Sequence, residues 1–502
     1  MKSRRSIRTP LIGLFLGLTV SALPALEVRM AADTLSIQAE KTPLSEILAQ
    51  LQDAGVRVAM DDRINPLITA HFTDREIGEG IKRLLADCDY ALSWKTLDGP
   101  VGKIKLLSEV LVYKPGDRRL LMPRPTPSAT MAQPRTAQTN SIVCLTNEIL
   151  LRLIAGITRE QFRELLMKHG ATVLDGIPAL GIYRLRLPPD ANLAETLNAL
   201  AKDPLVLKAE PNLIYGSITP VRTGDSGQES SPRTVSAPGG PAIAILDSGF
   251  TPNATLANAV VTTLDATAPW QTISDPLGHG TQMAFIAAGA VNPTGMGSLS
   301  PAAVPIIPIR TMNDQGMTSG FSLMQSMVFS VEHGARVISM SWGSESDSGF
   351  FNDAIAYARK QGVILVAAAG NEPTGKPFYP AALPDVIAVA ALTPDGNVWN
   401  QSNYGSFIKF AAPGFATLPV GYKGPPGQYG GSSIAAAYTA HVIAQYLASH
   451  PKADATEALH ALTQTLGSTT SAADMIHPEI PRFNAAAIDL YLKSPRPGFN
   501  PL

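Results

Sequence analysis

A chain of 502 residues is too long to fold around one hydrophobic core, and this length predicts about three domains. Hydrophobic residues make up 45% of the sequence and charged residues 16%, so most of the chain can form packed cores. The 40 basic and 41 acidic side chains nearly cancel, which gives no reason to expect a nucleic acid or another polyanion as a partner.

Residues 1–25 have the features of a secretory signal peptide: a basic start, an apolar run from Leu11 to about Val20, and small residues after it. The run is short for a helix that spans a bilayer, so an uncleaved membrane anchor is the less favoured alternative. We therefore expect the protein to be exported, to the periplasm, the cell envelope or the medium.

The cysteines and histidines indicate neither a disulfide framework nor a metal site. Only Cys88 and Cys144 are present, and they are predicted to be buried thiols, with a disulfide between them as the alternative. The eight histidines show no HExxH spacing and no neighbouring CxxC pair, so we predict no metal ligands and no cofactor.

Two segments rich in proline, serine, threonine and glycine, 116–145 and 217–240, are predicted to be linkers. Before the first of them, residues 33–115 alternate short strands with two helices, which is typical of a small α+β domain. The stretch PLSEILAQLQDAGVRVAMDDRI resembles the short amino-terminal domain of secretins and TonB-dependent receptors. That resemblance implies a protein partner in a Gram-negative cell envelope, and a generic α+β domain is the alternative.

Residues 146–216 follow the order strand, helix, strand, strand, helix, strand, and a capping box of Thr158 and Gln161 begins the first helix. The segments EILLRL, GITREQF and AEPNLIY resemble the inhibitory propeptide that precedes many bacterial subtilisin-like proteases. The resemblance implies a second small α+β domain that acts as an intramolecular inhibitor.

The third piece, residues 241–490, alternates short apolar runs with helical stretches. The runs AIAILD, AVPIIPI, ARVISMS, VILVAAA and DVIAVAA have no polar face. Strands of this kind between helices predict an α/β fold, a parallel sheet covered by helices on both faces.

Reactive groups in such sheets gather where strands end and helices begin. Asp247 ends the first run, His279 opens a helix in DPLGHGTQMAFIAAG, Asn371 follows VILVAAAG, and Ser433 opens a helix in GGSSIAAAYTAHV. A serine hydroxyl becomes a nucleophile when an imidazole takes its proton, and a carboxylate orients that imidazole. An amide side chain and a backbone N–H at a helix start can stabilise the oxyanion.

The motifs LDSG, GHGT, AAGNE and GSSIA resemble those of the subtilisin-like serine proteases (subtilases), whose catalytic order is Asp, His, Ser. The resemblance implies a triad of Asp247, His279 and Ser433, with Asn371 as an oxyanion donor. It also places the substrate beside Ser341, Trp342 and Gly343, with Ala369 and Gly370 as the other wall of the specificity pocket. Calcium is common in that family, but no acidic loop identifies a site here.

Together these features predict an exported serine endopeptidase made as a zymogen. The end of the second domain, Glu210–Tyr215, is expected to lie extended in the cleft, and self-cleavage is expected within 216–240. Trp342 beside the pocket suggests apolar or mid-sized residues before the cut. The residues that flank His279 and Ser433 differ from the family pattern, which leaves an inactive scaffold or assembly factor of the envelope as the alternative. A peptide ligase that uses the same triad is a second alternative.

Overall fold

The computed structural model describes residues 26–31, 34–116, 136–139, 142–224, 232–236, 239–295, 302–466 and 480–493. The predicted signal peptide, residues 1–25, lies outside these residues, as does most of the predicted linker 116–145. The chain divides into two compact units, Met1–Lys95 with Leu107–Thr126 and Thr96–Leu106 with Pro127–Leu502. No helix of the described residues is long and apolar enough to cross a membrane.

Two small sheets and two helices form the amino-terminal domain. The strands are β1 (Leu26–Ala31), β2 (Thr34–Pro43), β3 (Arg57–Met60), β4 (Leu67–Glu76), β5 (Asp89–Gly99) and β6 (Gly102–Tyr113), and the helices are α1 (Leu44–Asp53) and α2 (Ile77–Leu84). One sheet has the order β1-β2-β4 and the other β3-β6-β5. The apolar side chains at helical spacing in α1 and α2 are buried in one core, which confirms the predicted α+β architecture.

The second domain is an antiparallel sheet with two helices. Its elements are β7 (Thr136–Thr139), β8 (Ile142–Leu153), α3 (Arg159–Lys168), β9 (Thr172–Ile177), a 3-10 turn (Pro178–Leu180), β10 (Ile182–Arg186), α4 (Leu193–Leu200) and β11 (Val206–Ser217). The order β11-β8-β10-β9 forms the sheet, β7 pairs with β8, and the capping box of Thr158 and Gln161 is present. The predicted linker 116–145 therefore extends too far, because pairing with β8 recruits residues 136–139 and 142–145 into the sheet.

The third domain contains the parallel sheet. The strands of this domain are β12 (Val221–Gly224), β13 (Ala242–Asp247), β14 (Leu264–Asp265), β15 (Ile306–Arg310), β16 (Met317–Ser319), β17 (Ala335–Met340), β18 (Trp342–Gly343), β19 (Ile364–Ala368), β20 (Ile387–Leu392), β21 (Ile408–Pro413), β22 (Phe415–Leu418) and β23 (Gly427–Gly430). Its helices are α5 (His279–Ala287), α6 (Gly320–Glu332), α7 (Gly349–Lys360), α8 (Ser432–Ser449), α9 (Ala455–Leu466) and α10 (Ala485–Lys493).

Seven strands in the order β14-β15-β13-β17-β19-β20-β21 form the main sheet, and every neighbouring pair is parallel. One apolar cluster joins one face of the sheet to α5 and α8, and a second joins the other face to α6 and α7. Because helices cover both faces, the central strands need no polar face, which is why they are continuously apolar. The predicted α/β fold with helices on both faces is confirmed.

Part of the predicted linker 217–240 belongs to the fold of the third domain. β12 pairs antiparallel with β23, and β22 continues that small sheet. Further on, the N–H of Arg233 donates to the carbonyl of Ala290, and the N–H of Val235 donates to the carbonyl of Thr255. The composition is that of a linker, but the backbone of these described residues has hydrogen-bond partners in the third domain.

Cys88 and Cys144 are free thiols in the structure; Cys144 is buried, as predicted, whereas Cys88 is only partly buried. Cys144 is buried in the apolar cluster that also contains side chains of α6 and α7. Burial raises the pKa of both thiols, which disfavours the thiolate form that reacts.

Candidate active site

Asp247 and His279 lie side by side at the carboxyl edge of the parallel sheet. Asp247 is the last residue of β13, and His279 is the first residue of α5. His279 Nδ1 lies 2.7 Å from Asp247 Oδ1, and the two side chains are 0% and 1% exposed. A carboxylate at this distance accepts the proton of Nδ1, which leaves the other ring nitrogen, Nε2, as a proton acceptor.

The pKa of His279 is raised above its ordinary value of 6.5. Burial by itself lowers this pKa, because a charged ring is poorly solvated inside the protein. The negative charge of Asp247 and its hydrogen bond outweigh burial, and the charge of Asp275 acts in the same direction. The ring is therefore a stronger base than a histidine in water.

The buried carboxylate of Asp275 ties the end of β13 to the start of α5. Its Oδ1 accepts hydrogen bonds from the Ser248 hydroxyl at 2.7 Å and from the N–H of Gly278 at 2.9 Å. Its Oδ2 accepts hydrogen bonds from the N–H and the hydroxyl of Thr281, both at 2.7 Å. Because Ser248 directly follows β13 and Thr281 lies in the first turn of α5, one carboxylate holds both segments.

Asp275 was not among the residues predicted from the sequence, although DPLGHGT carries a signal for it. An aspartate just before a helix is a typical capping residue, and here it lies three residues before Gly278, the N-cap of α5. Gly278 has a φ of 80°, in the left-handed region that favours glycine.

Ser433 lies in the first turn of α8, and Asn371 contacts the preceding residue, Ser432. Ser433 is the second residue of α8, and Asn371 lies just beyond the end of β19. Asn371 Oδ1 accepts hydrogen bonds from the N–H and the hydroxyl of Ser432, both at 2.9 Å. With Oδ1 held in this way, Nδ2 of Asn371 donates to the carbonyl of Thr219 at 2.9 Å.

The glycines before α8 allow backbone to pass close to this point. A Cβ on Gly431 would lie 3.1 Å from Nδ2 of Asn371 and 3.7 Å from Cα of Pro220. A Cβ on Gly430 would lie 2.6 Å from Cε1 of Phe415, which is too close for any other residue without a shift. Gly431 thus leaves room for the backbone of Pro220 beside the start of α8, and Gly430 leaves room for the ring of Phe415.

The helices α5 and α8 both begin at the carboxyl edge of the sheet, α5 beside Asp247 and α8 beside Gly370 and Asn371. Towards the end of α5, His441 Nδ1 on α8 donates to the carbonyl of Ala287 at 2.8 Å. Eight residues before this contact, about 12 Å along each helix, lie His279 on α5 and Ser433 on α8. Both residues thus lie in the first turns of helices that begin at the carboxyl edge of the sheet.

His279 Nε2 and Ser433 Oγ are both buried, and neither has a hydrogen-bond partner among the described residues. Buried polar atoms are almost always hydrogen-bonded, so such an atom calls for a reason, and proton transfer is one. The two atoms are thus not hydrogen-bonded to each other in this structure, and their roles as base and nucleophile stay predictions.

Three residues that depart from the family pattern have packing roles. Burial lowers the pKa of His441 to about 4, so this ring is neutral at neutral pH, and it stacks on Tyr438. Gln282 donates from Nε2 to the carbonyl of Val420 at 2.8 Å. Gln282 lies in the first turn of α5 and the His441 contact lies at the end of that helix, and Asp247 and His279 stay paired.

The chain's own segment 214–224 runs through the cleft. Ile214–Gly216 pairs antiparallel with β16, and residues 216–217 pair with β18. The N–H of Ile218 donates to the carbonyl of Ser341 at 3.1 Å, and the carbonyl of Thr219 then contacts Asn371. Beyond this point β12 pairs with β23, which directly precedes α8. The segment therefore has partners on both sides of Asn371.

The sequence predicted that Glu210–Tyr215 would lie in the cleft, and the structure has segment 214–224 there, so the prediction holds only for Ile214 and Tyr215. The first half of β11 pairs with β8 of the second domain, from Val206 to Leu213. The long strand thus changes partners along its length, and a prediction from composition does not show where the change occurs.

The predicted substrate-binding residues differ in what their side chains do. Ser341, Trp342 and Gly343 contact the segment in the cleft through their backbone. The ring of Trp342 is fully buried against Tyr215 and Phe351, and its Nε1 donates to the carbonyl of Leu246 at 3.0 Å.

Across the cleft, Ala369 and Gly370 directly follow β19. The N–H of Gly370 donates to the hydroxyl of Ser432 at 3.1 Å, which ties this wall to the start of α8. Among the described residues, no three His, Cys, Asp or Glu side chains converge as metal ligands.

Comparison with known proteins assigns the fold and the family. Thermitase from Thermoactinomyces vulgaris is 33% identical over 208 residues, which are 39% of this chain and 74% of thermitase. The chain belongs to the subtilase family. The subtilase family model matches residues 239–479, and the model of the fervidolysin N-terminal prodomain matches residues 133–212. The third domain is thus that of a subtilisin-like serine endopeptidase, preceded by a prodomain.

Other relatives of this subtilase share the same regions. The minor extracellular protease Epr of Bacillus subtilis is 35% identical over 34% of this chain and 26% of Epr. Fervidolysin from Fervidobacterium pennivorans has the same fold, with a TM-score of 0.57 and 19% identity over 72% of this chain and 63% of fervidolysin. Because the chain spans only part of these two proteins, its own activity and substrates are treated as a proposal.

Proposed function

We propose that this chain is an exported serine endopeptidase made as a zymogen. His279 takes the proton of the Ser433 hydroxyl while Ser433 Oγ attacks the carbonyl carbon of the scissile bond. Asp247 holds the proton on Nδ1 and stabilises the imidazolium. Nδ2 of Asn371 and the N–H of Ser433 bind the oxyanion. His279 then protonates the leaving amine, and water releases the acyl group by the same steps.

One observation carries this proposal. The carbonyl of Thr219 accepts a hydrogen bond from Asn371, in a segment that is paired with β16 and β18 before this point and with β23 after it. A peptide substrate needs the same arrangement: backbone pairing on both sides and one carbonyl on an oxyanion donor. The uncut chain fills the cleft itself, which supports an inhibited precursor.

Charged contacts hold the prodomain on the third domain beside the cleft. Arg152 Nη1 lies 2.8 Å from Asp353 Oδ2 on α7. Glu210 Oε2 accepts hydrogen bonds from the Ser348 hydroxyl at 2.8 Å and the N–H of Phe350 at 3.3 Å, at the amino end of α7. A carboxylate there is favoured by the helix dipole. Self-cleavage within 216–240 would leave the prodomain attached by non-covalent contacts: these charged groups, the pairing of β11 with β16 and β18, and the shared apolar cluster.

Expression of the full chain and of its Ser433→Ala variant tests the proposal. The parent should be trimmed within 216–240 and hydrolyse casein, while Ser433→Ala should lose only residues 1–25 and stay inactive. Ser449→Ala, on the exposed end of the same helix, is the matched control and should process like the parent. Trimming of Ser433→Ala by itself, in a host without other proteases, would refute self-processing, and a parent that hydrolyses no protein would refute the peptidase.

The location and cofactor needs belong to the same proposal. Residues 1–25 direct export, and residues 33–115 bind a protein of a Gram-negative envelope. The nucleophile, the base and the oxyanion donors all come from the chain, so we expect activity to persist in a chelator. Fractionation of the producing cells and assay with EDTA test these points.

A further inference from the structure

The ring of Phe378 lies against both walls of the cleft. A Cβ placed on Gly343 would lie 2.3 Å from Phe378 Cε1, and a Cβ placed on Gly370 would lie 3.6 Å from Phe378 Cδ1. The two walls carry no side chain at these positions, and the space between them is taken by one aromatic ring. Nothing in the sequence motifs pointed to Phe378.

The backbone around Phe378 is fixed to the edge of the cleft. The next residue, Tyr379, donates its N–H to the carbonyl of Ser344 at 2.8 Å, and its own carbonyl accepts a hydrogen bond from the N–H of Ser344 at 2.9 Å. The carbonyl of Phe378 accepts the N–H of Ala382 at 2.8 Å. The ring packs against the apolar cluster that contains residues of α5 and α8. It is therefore held as part of the wall.

The segment in the cleft carries short side chains where it passes these walls. Gly216 lies opposite Gly343, and Ile218 and Thr219 follow with hydrogen bonds to Ser341 and Asn371. Ile218 is only 5% exposed, so its side chain is enclosed. Ile218 is branched at Cβ and short enough for a shallow pocket, whereas the side chain of Thr219 is exposed.

We propose that Phe378 determines the cleavage preference of the enzyme. Its ring makes the pocket shallow, so the residue before the scissile bond carries a short side chain, such as that of Ala, Thr or Val, and aromatic side chains are excluded. The sequence suggested Trp342 for this role, but that ring lies in the core against Tyr215 and Phe351. The inference rests on the proposed peptidase activity and adds a substrate class to it.

Peptide p-nitroanilides that differ only in the residue before the scissile bond test this inference on the full chain after processing. The parent should hydrolyse the Ala and Thr substrates with a kcat/KM at least about tenfold above that for Phe, the size of effect that a pocket-filling group produces. Phe378→Ala should raise kcat/KM for the Phe substrate by about tenfold or more and change that for Ala by less than about threefold.

Phe329→Ala is the matched control, since Phe329 is also partly buried but lies near the end of α6, stacked on His333. It should leave the ratio of Phe to Ala hydrolysis unchanged. If Phe378→Ala fails to fold, Phe378→Leu should still move the ratio towards Phe. A parent that prefers Phe, or a ratio that Phe378 variants do not change, overturns the inference while the peptidase stands. A parent that hydrolyses neither the peptides nor casein removes both proposals.

Discussion

Replacing Asp275 by asparagine tests how the two halves of the site are held together. The carboxylate accepts four hydrogen bonds, two on each oxygen. In Asp275→Asn one oxygen becomes an NH₂ group, which cannot accept, so the two donors that face it lose their partner. A buried donor without a partner costs about 1–3 kcal/mol. Because the Thr281 hydroxyl can rotate, we expect a total loss of about 2–4 kcal/mol.

Thermal unfolding of the full chain measures this loss. The Ser433→Ala background keeps the chain from digesting itself during the scan. For a domain of this size the melting temperature should fall by roughly 4–16 °C. Asp395→Asn is the control, because Asp395 is an exposed carboxylate that also accepts side-chain hydrogen bonds, and it should not change the melting temperature. An Asp275→Asn variant that melts within about 2 °C of its parent would refute the reasoning.

Three further predictions concern charge. The pKa of His279 lies above 6.5, and the base must be neutral, so kcat/KM should fall with decreasing pH, with a midpoint above pH 6.5. Asp247→Asn should move this midpoint to lower pH and reduce kcat about 10⁴-fold. Burial raises the pKa of Glu148, but the positive charge of Arg184 outweighs burial and holds that pKa at about 2. Glu148→Ala should therefore lower the free energy of unfolding, measured in urea above pH 4.5, by about 3–5 kcal/mol. Glu210→Ala should speed the appearance of activity, because it weakens the contact with α7.

These predictions fail in distinct ways. If kcat/KM instead falls only below pH 6.5, the charge of Asp247 does not determine the pKa of His279. The stabilisation from Glu148 is present above its unfolded pKa of about 4.5 and is lost as the pH falls towards 2, so the cost of Glu148→Ala should shrink below pH 4.5. A loss of stability in Glu148→Ala that does not change with pH would contradict a stabilising ion pair between Glu148 and Arg184. Glu164→Ala on α3 is a control for Glu210→Ala, and equal rates in the two variants would argue against the α7 contact.

Much of the fold could be predicted because its signals are local. The apolar runs that form β13, β17, β19 and β20 and the capping box of α3 depend on neighbours within a few residues. The residues predicted for the site also lie at the ends of such runs, where a strand or helix boundary is visible. The structure places Asp247 and His279 within hydrogen-bonding distance of each other. The roles of Ser433 and Asn371 in catalysis stay predictions.

The sequence by itself determined the fold class, the family motifs and the positions where polar groups follow apolar strands, because hydrophobic period and turn chemistry act over short distances. Only the tertiary structure decided which residues support the site. Asp275 matters because segments 27 residues apart meet on its carboxylate. Segment 214–224 lies in the cleft because its backbone finds partners about 100 to 200 residues away, in β16, β18 and β23. Phe378, and not Trp342, lies between the walls, since a side chain's direction is set by what packs around it.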